Sequence, residues 1–69
     1  ASMIPKSEFN VGDRVNVRCE EAEYLPYFEA YVIGVSWRGT KHEYVVQEVI
    51  EGKLGMKLDG YTADWLNLL

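Results

Sequence analysis

"YFEAYVIGVSW", residues 27–37, decides how this chain folds. β-branched and aromatic residues dominate it and no 3.6-residue repeat of apolar positions develops, which is the composition of a strand rather than a helix. Gly34 interrupts its middle, where a missing Cβ suits a bulge or sharp bend that lets a strand change its facing. Ala30 and Val32 are expected to point inward before the bend, and Val35 after it. Extended back to residue 21, the stretch holds three Tyr, a Phe and a Trp. That is more aromatic surface than one short strand needs, so some rings are expected to close a core and others to remain for a partner.

Working outward, Gly12-Asp13 marks a turn, and "RVNVRC", residues 14–19, alternates with Val15, Val17 and Cys19 on one face. This is the pattern of a half-buried strand. Residues 20–26 are polar apart from their aromatics and end in Pro26, which breaks a sheet ladder, so they read as a loop. Residues 38–41, with Gly39, suit a hairpin. "HEYVVQEVI", residues 42–50, gives a third strand with Tyr44 and Val46 on one side and Val45, Gln47 and Val49 on the other. Residues 51–55 hold two glycines and read as a turn. "MKLDG", residues 56–60, is then a fourth short strand with Met56 and Leu58 on one face. Thr62 is placed to cap a single helical turn over Ala63, Asp64 and Trp65, and Leu66 and Leu68 alternate as a short last strand. Trp37 is expected to flank the hairpin and Trp65 to cover one end of the fold.

The result is an all-β chain: a small SH3-like barrel of about five strands with one helical turn before the last. An OB-type barrel is the rival, and it needs longer strands and more residues. Sixty-nine residues make one domain near the lower limit for burying a sufficient core. Residues 1–8 read as a tail in which Ala1-Ser2 looks like an expression scar before Met3, and residues 9–69 as the barrel. One cysteine, Cys19, excludes an internal disulfide framework. A reducing compartment, cytoplasmic in the simplest case, is the expectation. No apolar run approaches the roughly 18 residues of a membrane helix.

The formal net charge is −4, and the seven basic residues are scattered among eleven acids. Phosphate neutralisation needs clustered Lys and Arg, so nucleic acid is disfavoured as a partner. Glu20, Glu21, Glu23 and Glu29 gather around the first loop. They form either a solvated rim or an attractive one for a cationic peptide.

"VGDRVNV", "YFEAYVIGV", "EYVVQEV" and the closing "YTADWLNLL" together resemble the Tudor and agenet group of SH3-like domains, over roughly residues 9–69. The resemblance implies an aromatic cage for a methylated or otherwise cationic side chain, with ring faces attracting a weakly hydrated cation. Tyr27 and Phe28 match the aromatic pair before Glu29-Ala30, with Tyr24 reaching the same rim and Tyr44 as the buried ring of the third strand. Where that group shows an aromatic followed by Asp-x-Gly, this chain has Gln47-Glu48-Val49. A second resemblance is to the type II plasmid dihydrofolate reductases, through the Gly-Asp-Arg-Val of residues 12–15 and the strand "EAYVIGVSW". It implies an oligomeric enzyme with a central pore; their Val-Gln-Ile-Tyr motif falls at "GMKLD", residues 55–59, which lacks it.

Other chemistry is sparse. His42 follows Lys41 in an expected turn with no metal-ligand spacing around it. Cys19 is followed by Glu20 and Glu21, which oppose a reactive thiolate. Asp59 and Asp64 are explained by a turn and a helix start. The expectation is a non-enzymatic binding module without cofactor or metal. It engages a protein or peptide partner, of cationic character, through Tyr24, Tyr27 and Phe28 with Glu23 and Glu29 on the rim. Self-association is expected as well, because a barrel this small gains stability by burying a face against a copy.

Overall fold

A computed structural model describes residues 3–19 and 27–69. It contains five antiparallel strands: β1 (Arg14–Arg18), β2 (Tyr27–Trp37), β3 (His42–Ile50), β4 (Lys53–Tyr61) and β5 (Leu66–Leu68), with one 3-10 turn, Ala63–Trp65, before β5. The strands run in the order β4-β3-β2-β1-β5. The all-β architecture, the strand number and the single helical turn are those the sequence predicts.

β2 organises the sheet because it is shared. Its first half pairs with β1, from Arg14↔Tyr31 to Arg18↔Tyr27, while the stretch from Ala30 to Trp37 pairs with β3. The change of partner coincides with a register shift between Val32 and Gly34, which leaves Ile33 as the extra residue of a bulge. The bulge does what Gly34 suggested. Ala30 and Val32 are fully buried before it, and Val35 packs against the same core after it.

The core comprises Phe9, Val15, Val17, Ala30, Val32, Tyr44, Val46 and Leu66, and no polar side chain among the described residues is buried with them. Alternation along β1, β2 and β3 delivers six of these side chains to one side of the sheet. Phe9 enters from the segment before β1 and meets Tyr44 edge to face, with ring centroids 5.4 Å apart. The Tyr44 hydroxyl accepts the Glu8 N–H at 3.1 Å, so the one polar atom on the largest core side chain is paired. Gly12, at φ +97, turns the chain into β1, and its N–H donates to the Val32 carbonyl at 2.8 Å.

β4 is longer than the sequence reading. Its predicted start at Met56 moves to Lys53, because the turn is only Glu51-Gly52, with φ of +50 and +77. Two successive left-handed residues make the tight hairpin turn that matches strand twist, and Ile50↔Lys53 is the last pair before it. Gly55 is thus a strand residue. Its missing Cβ leaves room for the Glu48 side chain across the pair, whose Oε1 accepts the Met56 N–H at 3.1 Å while the Gln47 amide donates to the Gly55 carbonyl at 3.2 Å. These bonds serve a second register shift, between Gln47 and Val49, and a third lies between Tyr44 and Val46.

Two smaller expectations are corrected. β1 ends at Arg18, before Cys19. Thr62 makes no side-chain cap bond to the helical turn; its hydroxyl donates to the Asp64 carboxylate instead, and the Trp65 N–H bonds to the Thr62 carbonyl. His42 opens β3, as the strand reading of residues 42–50 has it, and is half-buried, its ring 4.9 Å from that of Trp37 and 6.5 Å from that of Tyr44.

Candidate functional site

Of the five residues singled out in the sequence, Glu23 and Tyr24 lie outside the described residues, as does the whole stretch 20–26 that the sequence predicts as a loop. Tyr27, Phe28 and Glu29 are consecutive at the start of β2, and strand alternation sends their side chains to opposite faces. Phe28, opposite Val17, turns toward the core and packs against it, edge to face with Tyr61 at 6.5 Å. Tyr27 stays 46% exposed on the outer face, opposite Arg18. The two rings therefore do not face each other as the walls of one cage. They border a single open cleft of about 490 Å³ instead.

The far wall of that cleft comes from β3 and the turn after it: Val49, Ile50, Glu51 and Gly52, with Arg14 of β1 and Glu29 completing the rim. Val49 and Ile50 reach it because β3 runs alongside β2 with Ala30 opposite Glu48, which sets the end of β3 beside the start of β2. Ile50 is 55% exposed, an aliphatic side chain held at the tip of a hairpin with little to bury it. The cleft thus joins an aromatic edge to an aliphatic one.

Its charges are unequal in availability. Glu29 is engaged by Arg14, whose Nε and Nη2 both donate to Oε2, the former at 3.2 Å. The hydrogen bond and the charge of Glu29 raise the Arg14 pKa above its ordinary value, and the guanidinium also lies 5.7 Å from the centre of the Tyr31 ring. Glu51 stands exposed on the turn with no ion-pair partner among the described residues. Among the described residues, the free negative charge of the rim is therefore that of Glu51.

Two other places gather aromatic and charged side chains. Beside Phe28, Tyr61 meets Trp65 at 6.5 Å, and the Arg18 guanidinium covers the Trp65 ring at 4.5 Å. Burial raises the Tyr61 pKa, with Cys19 and Glu48 adding to the shift. Trp65 thus closes one end of the fold under a cation of the chain itself. A second cleft of about 420 Å³ opens where Lys6, Trp37, Lys41, His42 and Asp64 converge. Lys6 and Lys41 there are opposed by Glu8 and Asp64, so it favours neither sign of ligand. Among the described residues no group of His, Cys, Asp and Glu is arranged to hold a metal ion, and no helix is long and apolar enough to cross a membrane.

The contributions of Val49, Ile50 and Glu51 were missed in the sequence. They become visible only through the register of β3 on β2, though the exposed Ile50 beside a Gly-containing turn was a local signal. Comparison of the chain with protein-family profiles, with curated proteins and with solved structures found no match.

Proposed function

We propose that this protein is a small non-enzymatic binding module of SH3-like, Tudor-like architecture that engages a protein or peptide through the cleft between Tyr27 and the β3–β4 turn. The architectural part rests on the strand order, on a bent β2 shared between β1 and β3, and on the helical turn before β5. The observation that carries the functional part is the convergence of Tyr27, Val49 and Ile50 on one open cleft, with Glu51 at its lip free of any ion pair among the described residues. Aromatic and aliphatic surface offers a partner apolar contact, and the carboxylate favours a partner with a positive charge beside its apolar group.

The chemistry of the cleft selects a ligand in which an aliphatic side chain lies next to a Lys or Arg. A ring such as Tyr27 adds attraction for the cation when it passes over the face. Glu29 sets the orientation of Arg14 and contributes less to the ligand.

The test is an NMR titration of the labelled protein with a lysine–leucine octapeptide. The amide signals of Tyr27, Val49, Ile50 and Gly52 should move together. Tyr27→Ala should weaken binding by about threefold to fivefold, as expected for loss of one exposed cation–ring contact, and Glu51→Gln should reduce its salt dependence. No movement of these signals at millimolar peptide, or movement confined to the Trp37–His42 side, would overturn the proposal.

A further inference from the structure

The geometry points to a second copy of this chain as an occupant of the cleft, with the Lys53–Leu54 edge of each copy seated in the cleft of the other. The inference rests on the binding reading above and names a partner for the same site. The required ligand is an aliphatic side chain beside a cation, and this chain displays one. Leu54 is 63% exposed, Lys53 before it is exposed, and residues 53–57 carry two lysines and no acid in a chain of net charge −4. Among the described residues neither Lys53 nor Glu51 has an ion-pair partner.

Position supports the same conclusion. Leu54 is paired with Val49 and Lys53 with Ile50, so the leucine projects on one side of β4 beside the Val49 wall of the cleft and the lysine on the other side beside its Ile50 wall. Val49 lies on the side of β3 opposite the buried Tyr44 and Val46, and Tyr27 lies on the side of β2 opposite Phe28 and Ala30. A projection beside a recess is what a two-fold interface requires, because the projection of each copy can then enter the recess of the other. Lys53 of one copy is brought to Glu51 of its partner, a contact of opposite charges made twice.

Association through the free edge of β4 is disfavoured by comparison. Lys53 and Lys57 lie along that strand, and two register shifts interrupt its pairing with β3. Both are devices that keep an edge from adding strands. The outer face carries no such protection at Leu54.

Sedimentation equilibrium and light scattering on the full chain, from micromolar to about millimolar concentration, the range where small interfaces fall, provide the test. The chain should pass from monomer to dimer across that range. Lys53→Glu and Glu51→Lys should each weaken dimerisation by about tenfold, as for contacts of opposite charge in an interface, and the double reversal Lys53→Glu/Glu51→Lys should restore it. Because both positions are exposed, recovery in the double variant also rules out misfolding as the cause. A monomer at millimolar concentration, or a double reversal that stays monomeric, overturns the inference. If the monomer still shows the peptide-induced movements at Tyr27 and Ile50, the binding reading survives its failure. If dimerisation responds to Lys53 but not to Tyr27→Ala or Ile50→Ser, the cleft is not its seat and the inference fails.

Discussion

Gly55→Ala should destabilise the protein in its natural background and stabilise it when Glu48 is removed. A Cβ on Gly55 would sit 2.6 Å from Glu48 Cγ, 2.7 Å from Oε1 and 3.0 Å from Cδ, and these are its three nearest neighbours. Glu48 must therefore swing away, and its bond to the Met56 N–H at 3.1 Å is lost with it. A hydrogen bond of this kind contributes about 0.5–1.5 kcal/mol net, and forcing a side chain off its preferred rotamer costs a similar amount, about 0.5–1.5 kcal/mol. Against this stands the reduced freedom of the unfolded chain, worth about 0.4–1 kcal/mol for Gly to Ala where the backbone accepts it. Gly55 is not among the residues with positive φ, so it does. The balance is a loss of about 1 kcal/mol in the natural background.

In a Glu48→Ala chain the clash and the hydrogen bond are both already gone. Gly55→Ala should then be a gain of about 0.4–1 kcal/mol. Urea denaturation of the four proteins measures the cycle, and thermal melting should show each kcal/mol as about 4–8 °C in a domain of this size. Equal effects of Gly55→Ala in the two backgrounds would refute the claim that Glu48 occupies the space of the missing Cβ.

Tyr44→Phe removes the acceptor for the Glu8 N–H while keeping the ring, and should cost about 1 kcal/mol; urea melts together with faster amide exchange at Glu8 would show it. Asp64 gives a pH signature. The Thr62 hydroxyl is the main cause of its pKa lying below the ordinary aspartate value, only partly opposed by desolvation, with Arg18 and Lys41 adding to the depression. A depressed folded pKa means stability that is fully present above the unfolded aspartate pKa and lost as the pH falls through the folded one. Thr62→Val should flatten that acid limb and raise the Asp64 pKa in an NMR titration; an unchanged Asp64 titration would count against the hydroxyl as the cause.

The strands were legible where facing alternated without interruption. Val15 and Val17, Ala30 and Val32, and Tyr44 and Val46 are spaced two apart in sequence, and every one is buried. Gly34 announced its bend because a glycine inside a β-branched run has few other uses. Gly52 and Gly55 looked alike in sequence and act differently: one supplies a positive φ in the turn, the other makes space for Glu48. That distinction depends on which residue of β3 lies opposite, which local composition does not encode. Thr62 had two acceptable uses for its hydroxyl, a backbone N–H or the Asp64 carboxylate, and a residue two positions away won. At the candidate site Tyr27 and Glu29 were visible as aromatic and acidic residues at a strand start. Their partners Val49, Ile50 and Glu51 lie twenty or more positions along the chain and are brought to them by strand pairing.

The extra residue at Ile33 also sets where this chain tolerates changes of length. The two halves of β2 meet the core with opposite parity, so losing one residue between Val32 and Val35 would turn either half inside out. The tip at residues 38–41 carries no buried side chain, and its hydrogen bonds and ion pairs among the described residues are the Arg38–Lys41 backbone bond and the Arg38–Glu43 ion pair. Homologues that differ in length should therefore differ at that tip and keep β2 at constant length, and a foreign epitope grafted into this scaffold belongs there too.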